Sequence, residues 1–168
     1  ISMQMDNEGF LYPQVDISKC VDCHLCEKVC PVINQYDTRT PLKVYAAKNS
    51  DDEVRRLSSS GGIFTLLAEQ TIKDGGVVFG ACWDNEWNVK HDCVDNLSDL
   101  QRFRSSKYLQ SVIGDVYLKT EQFLKTGRKV MFTGTPCQIA GLKHFLRKEY
   151  DNLLAVEIIC HSVPRPGV

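Results

Sequence analysis

Polar and apolar residues alternate along ISMQMDNEGFLYPQVD on both sides of DNEG. Period-two alternation broken by a glycine-bearing turn predicts a β-hairpin, with Gly9 taking the positive φ. A polar connector, VINQYDTRTP, then ends at Pro41 and separates a small N-terminal module, residues 1–35, from the rest. Beyond it the rhythm changes. LKVYAAK reads as a strand, DDEVRRL as a short helix opened by acids, and SSSGGIFTLLAEQTIKDGG as a longer one. In that helix Ile63, Leu66, Leu67 and Gln70/Thr71 fall at helical spacing, and Gly75 is the stop. VVFGACW and NVKHDCV read as strands, VIGDVYLKTEQFLKTG as a helix with Gly127 at its C-cap, and KVMFTG as a strand. TPCQIAGLKHFLRK reads as a helix with proline in its first turn, and LLAVEII as a buried strand. Alternating strands and helices give an α/β fold class: an α+β ferredoxin-like N-terminal piece followed by a layered α/β sheet domain over 42–168.

Composition narrows the function more by exclusion than by assertion. Among 168 residues, 43% are hydrophobic and 24% charged, as in ordinary globular proteins. A formal net charge of -1 offers no electrostatic footprint for nucleic acid or anionic membrane. No apolar run has the length of a spanning helix, and no basic segment precedes an apolar stretch at the start. The expected location is the cytoplasm. The chain starts at Ile1 and stops at HSVPRPGV, so the expectation is a piece of a longer protein, with further cysteines on both sides.

Half of the eight cysteines sit in one run, CVDCHLCEKVCP. Its spacing, C-x₂-C-x₂-C-x₃-C-P, is that of bacterial ferredoxins, whose fourth cysteine serves the other cluster of a pair. Soft thiolates suit iron–sulfur clusters, and Pro31 ends the loop. Cys20, Cys23 and Cys26 are therefore expected to converge on one 4Fe-4S cluster, with Cys30 serving a second. A zinc site would favour cysteine pairs across a longer spacer or a mixed Cys/His set; a disulfide scaffold would be small and exported.

Three further segments carry chemistry. SSSGG before a helix offers hydroxyls and N–H groups to an anion, though serine also serves as a plain N-cap. RFRSSKYLQS clusters donors beside Tyr108. In TGTPCQIAGLK, Cys137 opens a helix after a strand, at the sheet edge where α/β proteins place ligands. That position favours the thiolate, for metal ligation or for nucleophilic attack. Cys160 ends another strand, so the two thiols are redox partners, half of a metal site, or neighbours by chance. Cys82 and Cys93 read as small buried hydrophobes, and His144 and His161 as ordinary histidines.

Taken in order, the ferredoxin run preceded by EGFLYPQVD, then SSSGGIFTLLA, GGVVFGA, RSSKYLQS, GTPCQIAGLK and CHSVPRPGV resemble the family of coenzyme F-420 hydrogenase/dehydrogenase beta subunits. The likeness is to bacterial members with an N-terminal two-cluster module, often linked to surface polysaccharide. It implies an iron–sulfur flavoprotein oxidoreductase passing electrons between 4Fe-4S clusters and FAD, then to a hydride-accepting or -donating partner. By that resemblance Ser60, Gly61 and Gly62 approach the flavin or its phosphates, and Ser106, Lys107 and Tyr108 line its pocket. Cys137 and Cys160 become ligands of a further cluster. No protein residue is expected to be catalytic. Implied partners are a redox protein (a ferredoxin or another component of an oxidoreductase) and a small-molecule substrate. Competing readings are a pure ferredoxin-type electron carrier, a structural zinc module, and Cys137 as a thiol nucleophile.

Overall fold

The computed structural model describes residues 1–35 and 40–165. Residues 36–39 of the connector and the last three of the closing motif lie outside that range.

The N-terminal hairpin forms as expected. β1 (Ser2–Met5) and β2 (Leu11–Gln14) pair antiparallel, Ser2 opposite Gln14, and Gly9 turns at φ 88°. Asp6 closes the turn, its carboxylate accepting from the N–H groups of Glu8 and Phe10. A single 3-10 turn, Ile17–Lys19, and a short helix α1 (Leu25–Lys28) complete this piece.

The remainder is an α/β fold of three layers. Helices α2 (Asp52–Arg56) and α3 (Ile63–Lys73) precede β3 (Val77–Trp83) and β4 (Val89–Val94). Helix α4 (Val116–Lys125) leads to β5 (Val130–Gly134), and α5 (Pro136–Leu146) to β6 (Leu153–Glu157). The strand order is β4-β3-β5-β6, with β4 antiparallel to β3, and β3, β5 and β6 mutually parallel. Alternation along β3 and β5 divides two cores. Val77, Phe79, Val130 and Phe132 face α4 and α5, where they meet Leu124, Ile139 and Leu142. Val78 and Met131 face the other way, toward Ala68 of α3, Leu100 and Phe103.

Four expectations need correction. LKVYAAK makes no strand: Leu42, Val44 and Tyr45 are at least 75% exposed, so the segment buries no apolar face against the sheet. LLAVEII becomes β6, but as an edge strand only half-buried, because no strand covers its outer side. The α4 segment begins at Val116 rather than at Val112, since Val112 is drawn into a bridge with Lys90 of β4. Helix α3 buries Thr65, Ala68 and Thr71 while Leu66 is 52% exposed, so the small residues, not the leucine, face the sheet.

A polar seam runs through the first of these cores. The buried His91 of β4 stacks on Phe132 at 5.5 Å, its Nε2 3.0 Å from the Thr133 carbonyl oxygen. Its Nδ1 lies 2.9 Å from the Ser111 hydroxyl, which accepts from the Gln138 amide at 2.7 Å. Gln138 Oε1 in turn accepts the Thr135 N–H at 3.0 Å, fixing the start of α5 beside Pro136. The neutral Nε2–H tautomer satisfies every one of these contacts. Burial holds the His91 imidazole below the ordinary histidine range, outweighing its bond to Thr133.

The turn from α3 into β3 leaves no room at Gly76, where a Cβ would stand 2.7 Å from the Thr71 carbonyl and 2.9 Å from that of Lys129. Gly76→Ala is expected to destabilise by roughly 1–3 kcal/mol in urea unfolding, since neither backbone neighbour can yield. His91 gives a prediction about acid. Its folded pKa is depressed, so below about pH 6.5 the unfolded chain takes up a proton that the folded one refuses. Stability should therefore decline as pH falls from 7 to 5, and His91→Gln should flatten that slope in unfolding titrations.

Candidate functional site

The cysteine loop is bent by two non-glycine residues in the left-handed region, Asp22 (φ 52°) and His24 (φ 55°). Each costs roughly 1–2 kcal/mol, so the loop's course is strongly specified. Cys20, Cys23 and Cys26 are exposed and Cys30 half-buried. Among the described residues, no three His, Cys, Asp or Glu side chains gather closely enough to hold a metal ion. The expected convergence of Cys20, Cys23 and Cys26 is thus not met. The bonds of the loop lie among other groups: Asp16 holds Ser18, His24 lies 3.0 Å from Glu27, and the Asn34 amide donates to the Glu27 carbonyl. None of these bonds engages a sulfur. The donor set itself, soft and reachable from solvent, fits iron–sulfur ligation. His24 stands apart from it, its ring between the carboxylates of Glu27 and Asp22.

The carboxyl edge of the sheet brings in the second group. Cys137 opens α5 after β5, exposed, with its sulfur 3.1 Å from the Thr135 hydroxyl. Cys160 follows the neighbouring parallel strand β6, whose pairing extends one residue further through Ile158 N–H to the Gly134 carbonyl. Both thiols therefore leave the sheet at the same edge. A cavity of about 470 Å³ lies there, lined by Cys137, Pro136, Ala140 and Glu157, and also by Pro31, Val32 and Gln35. The segment just after Cys30 thus faces the same cavity as Cys137.

On the other face of the sheet, α3 runs into β3 through a short turn and so is antiparallel to it; its N-terminus lies at that same carboxyl edge. Gly62 caps it at φ 73°, a conformation that disfavours any side chain. The buried Asn49 secures the loop: its N–H donates to the Gly61 carbonyl at 2.7 Å and its amide to the Gly62 carbonyl at 3.2 Å. The serine–glycine loop and the RSSKY segment meet, for the Ser106 N–H donates to Ser59 Oγ at 2.8 Å. Arg104 reaches Thr65 at 3.2 Å across the same junction. Lys107 turns inward, donating to the carbonyls of Arg102 and Arg104, and burial lowers its pKa. Tyr108 stands 77% exposed. Ser60, in the serine–glycine loop, is exposed.

Cys82 is buried, and burial pushes its thiol pKa up; Cys93 is half-buried and pushed the same way, as suits small hydrophobes. Residues that sequence reading passed over are Asn34, Asn49, His91, Ser111 and Gln138. Only Gln138 had a readable signal, the T-x-x-Q pattern of a capping box from Thr135. Asn49, His91 and Ser111 join segments well separated in the chain, and Asn34 ties the end of the cysteine loop to its own carbonyls.

No family model matches the chain. It is 24% identical over 148 residues to a component of the F(420)H(2) dehydrogenase of Methanosarcina mazei, covering 84% of this chain and 41% of that one. It is 30% identical over 129 residues to the coenzyme F420-dependent sulfite reductase of Methanocaldococcus jannaschii, 71% of this chain and 19% of that one. The chain therefore spans less than half the length of these relatives. A solved F420-reducing NiFe hydrogenase complex from Methanosarcina barkeri aligns over 55% of this chain and 32% of its own, at 27% identity and a TM-score of 0.45. By its sequence relationships the chain is related to F420 hydrogenase/dehydrogenase proteins.

Proposed function

We propose that the chain is part of an iron–sulfur flavoprotein oxidoreductase. Residues 1–35 are the partial cluster module and 42–168 the beginning of the flavin domain. Cys20, Cys23 and Cys26 ligate one 4Fe-4S cluster, Cys30 serves a second, and Cys137 and Cys160 contribute to a third. Clusters supply single-electron transfer and FAD the conversion to two-electron chemistry. The observation that carries this reading is the cysteine run, four thiols at ferredoxin spacing with three of them exposed. Supporting it, both named relatives are redox enzymes, and the segment after Cys30 lines one cavity with Cys137.

The chain's own residues then hold and orient. Gly61 and Gly62 let backbone approach a phosphate where a side chain would collide; a Cβ on Gly62 would meet Asn49 Cβ at 3.2 Å. Asn49 keeps that loop in place, and Ser106 ties it to the segment carrying Lys107 and Tyr108. Lys107 braces its own segment through two backbone carbonyls, while the exposed Tyr108 ring is free to cover a flat ligand. The redox partner is a ferredoxin or another component of an oxidoreductase, and the terminal reactant a small molecule that exchanges hydride.

Two variants of the full-length gene product, purified without oxygen, test the assignment. Cys23→Ser should lose the iron of one cluster and keep its flavin. Gly62→Val should keep all iron but bind FAD about tenfold more weakly, the equivalent of about 1.4 kcal/mol. Iron without any flavin in the unaltered protein would instead support the electron-carrier reading, and zinc in place of iron a structural module.

A further inference from the structure

At the opposite end of α5 from Cys137 lies a cavity of about 870 Å³ that the proposed cofactor sites do not use. Lys28 and Val29 contribute from the N-terminal module, and Lys143, Leu146, Arg147 and Lys148 from the end of α5. Its volume falls within the range of small-ligand sites, about 300–1,000 Å³.

Cations elsewhere on the surface are mixed: among the described residues Lys43 and Lys48 form no ion pair, while others do. Lys119, Lys125, Arg128 and Lys129 each rest on a carboxylate 2.8 to 3.0 Å away. Among the described residues Lys28, Lys143 and Arg147 form no ion pair, and Lys148 lies 4.4 Å over the Tyr150 ring. Glu149 and Asp151 also line the cavity, yet neither comes within ion-pair distance of these cations. Attraction to the C-terminal end of α5 accounts for cations on that helix. It does not account for Lys28, which comes from another element. Nor does it account for Arg147, the C-cap residue at φ 56°, where glycine is the usual occupant and an arginine costs roughly 1–2 kcal/mol. A guanidinium held there at that cost, unpaired and facing a cavity with Lys28 and Lys143, indicates an anion. Leu146, Val29 and the Tyr150 ring give the same cavity an apolar floor, on a scale that inorganic phosphate alone would not fill.

We propose that this cavity binds an organic phosphate, its anionic group on Lys28, Lys143 and Arg147 and its apolar or aromatic body on Val29, Leu146 and Tyr150. The site is separate from the serine–glycine loop and does not depend on the cofactor assignment.

Fluorescence titration of the full-length gene product with 1-naphthyl phosphate, beside inorganic phosphate and 1-naphthol, tests it. The expected order of affinity is naphthyl phosphate, then phosphate, then naphthol, with the first weakening as salt rises. Lys28→Ala and Arg147→Gly should each weaken naphthyl phosphate at least fivefold. Arg147→Gly should do so without lowering the melting temperature, since glycine relieves the left-handed C-cap. Gly62→Val should bind naphthyl phosphate unaltered, whatever it does to flavin, which separates this site from the proposed cofactor loop. The proposal is overturned if naphthyl phosphate does not bind, if it binds no better than inorganic phosphate, if both cavity variants retain it, or if Gly62→Val abolishes it.

Discussion

The structure depends on one strand being buried from both sides. Every residue of β5, Val130 to Gly134, is buried, with β3 and β6 hydrogen-bonded in parallel on its two edges. Parallel neighbours point their carboxyl ends the same way, so whatever follows them emerges at one edge. Thr133 reinforces the alignment, its hydroxyl donating to the Phe79 carbonyl at 2.9 Å. From that edge leave Cys137, Cys160 and, on the opposite face, the start of α3 with its serine–glycine loop.

Helix α5 is the second organising element. It shares two cavities with the N-terminal piece: one with Pro31, Val32 and Gln35 near its beginning, the other with Lys28 and Val29 near its end. The start of α5 is fixed from within by the His91–Ser111–Gln138 seam. Through it, a buried imidazole in β4 sets the position of the turn that presents Cys137.

What the sequence disclosed depended on whether the cause was local. The hairpin at Gly9, the start of α5 at Pro136 and the strand VMFTG all follow from periodicity and turn chemistry within a few residues. LKVYAAK misled because its alternation satisfies a strand pattern while its apolar residues stay exposed instead of packing on the sheet. Leu66 misled because α3 comes close to the sheet on Thr65, Ala68 and Thr71, and closeness favours small residues over large. The candidate site was legible in its residue types but not in its joints. Asn49 clamping Gly61 and Gly62, or Ser59 receiving Ser106, are contacts between segments whose separation no local pattern records. The thiols of the cysteine run show the reverse limit: their spacing speaks of a cluster, while among the described residues no three such side chains gather closely enough to hold a metal ion.

The central claim, that exposed sulfur on this loop ligates iron for electron transfer, is tested most directly by low-temperature electron paramagnetic resonance. The sample is the dithionite-reduced, full-length gene product prepared without oxygen. The account predicts the signal of reduced 4Fe-4S clusters, in amounts matching the iron and acid-labile sulfide measured on the same sample. A preparation with neither signal nor labile sulfide, its loop thiols all free to alkylation, would contradict it.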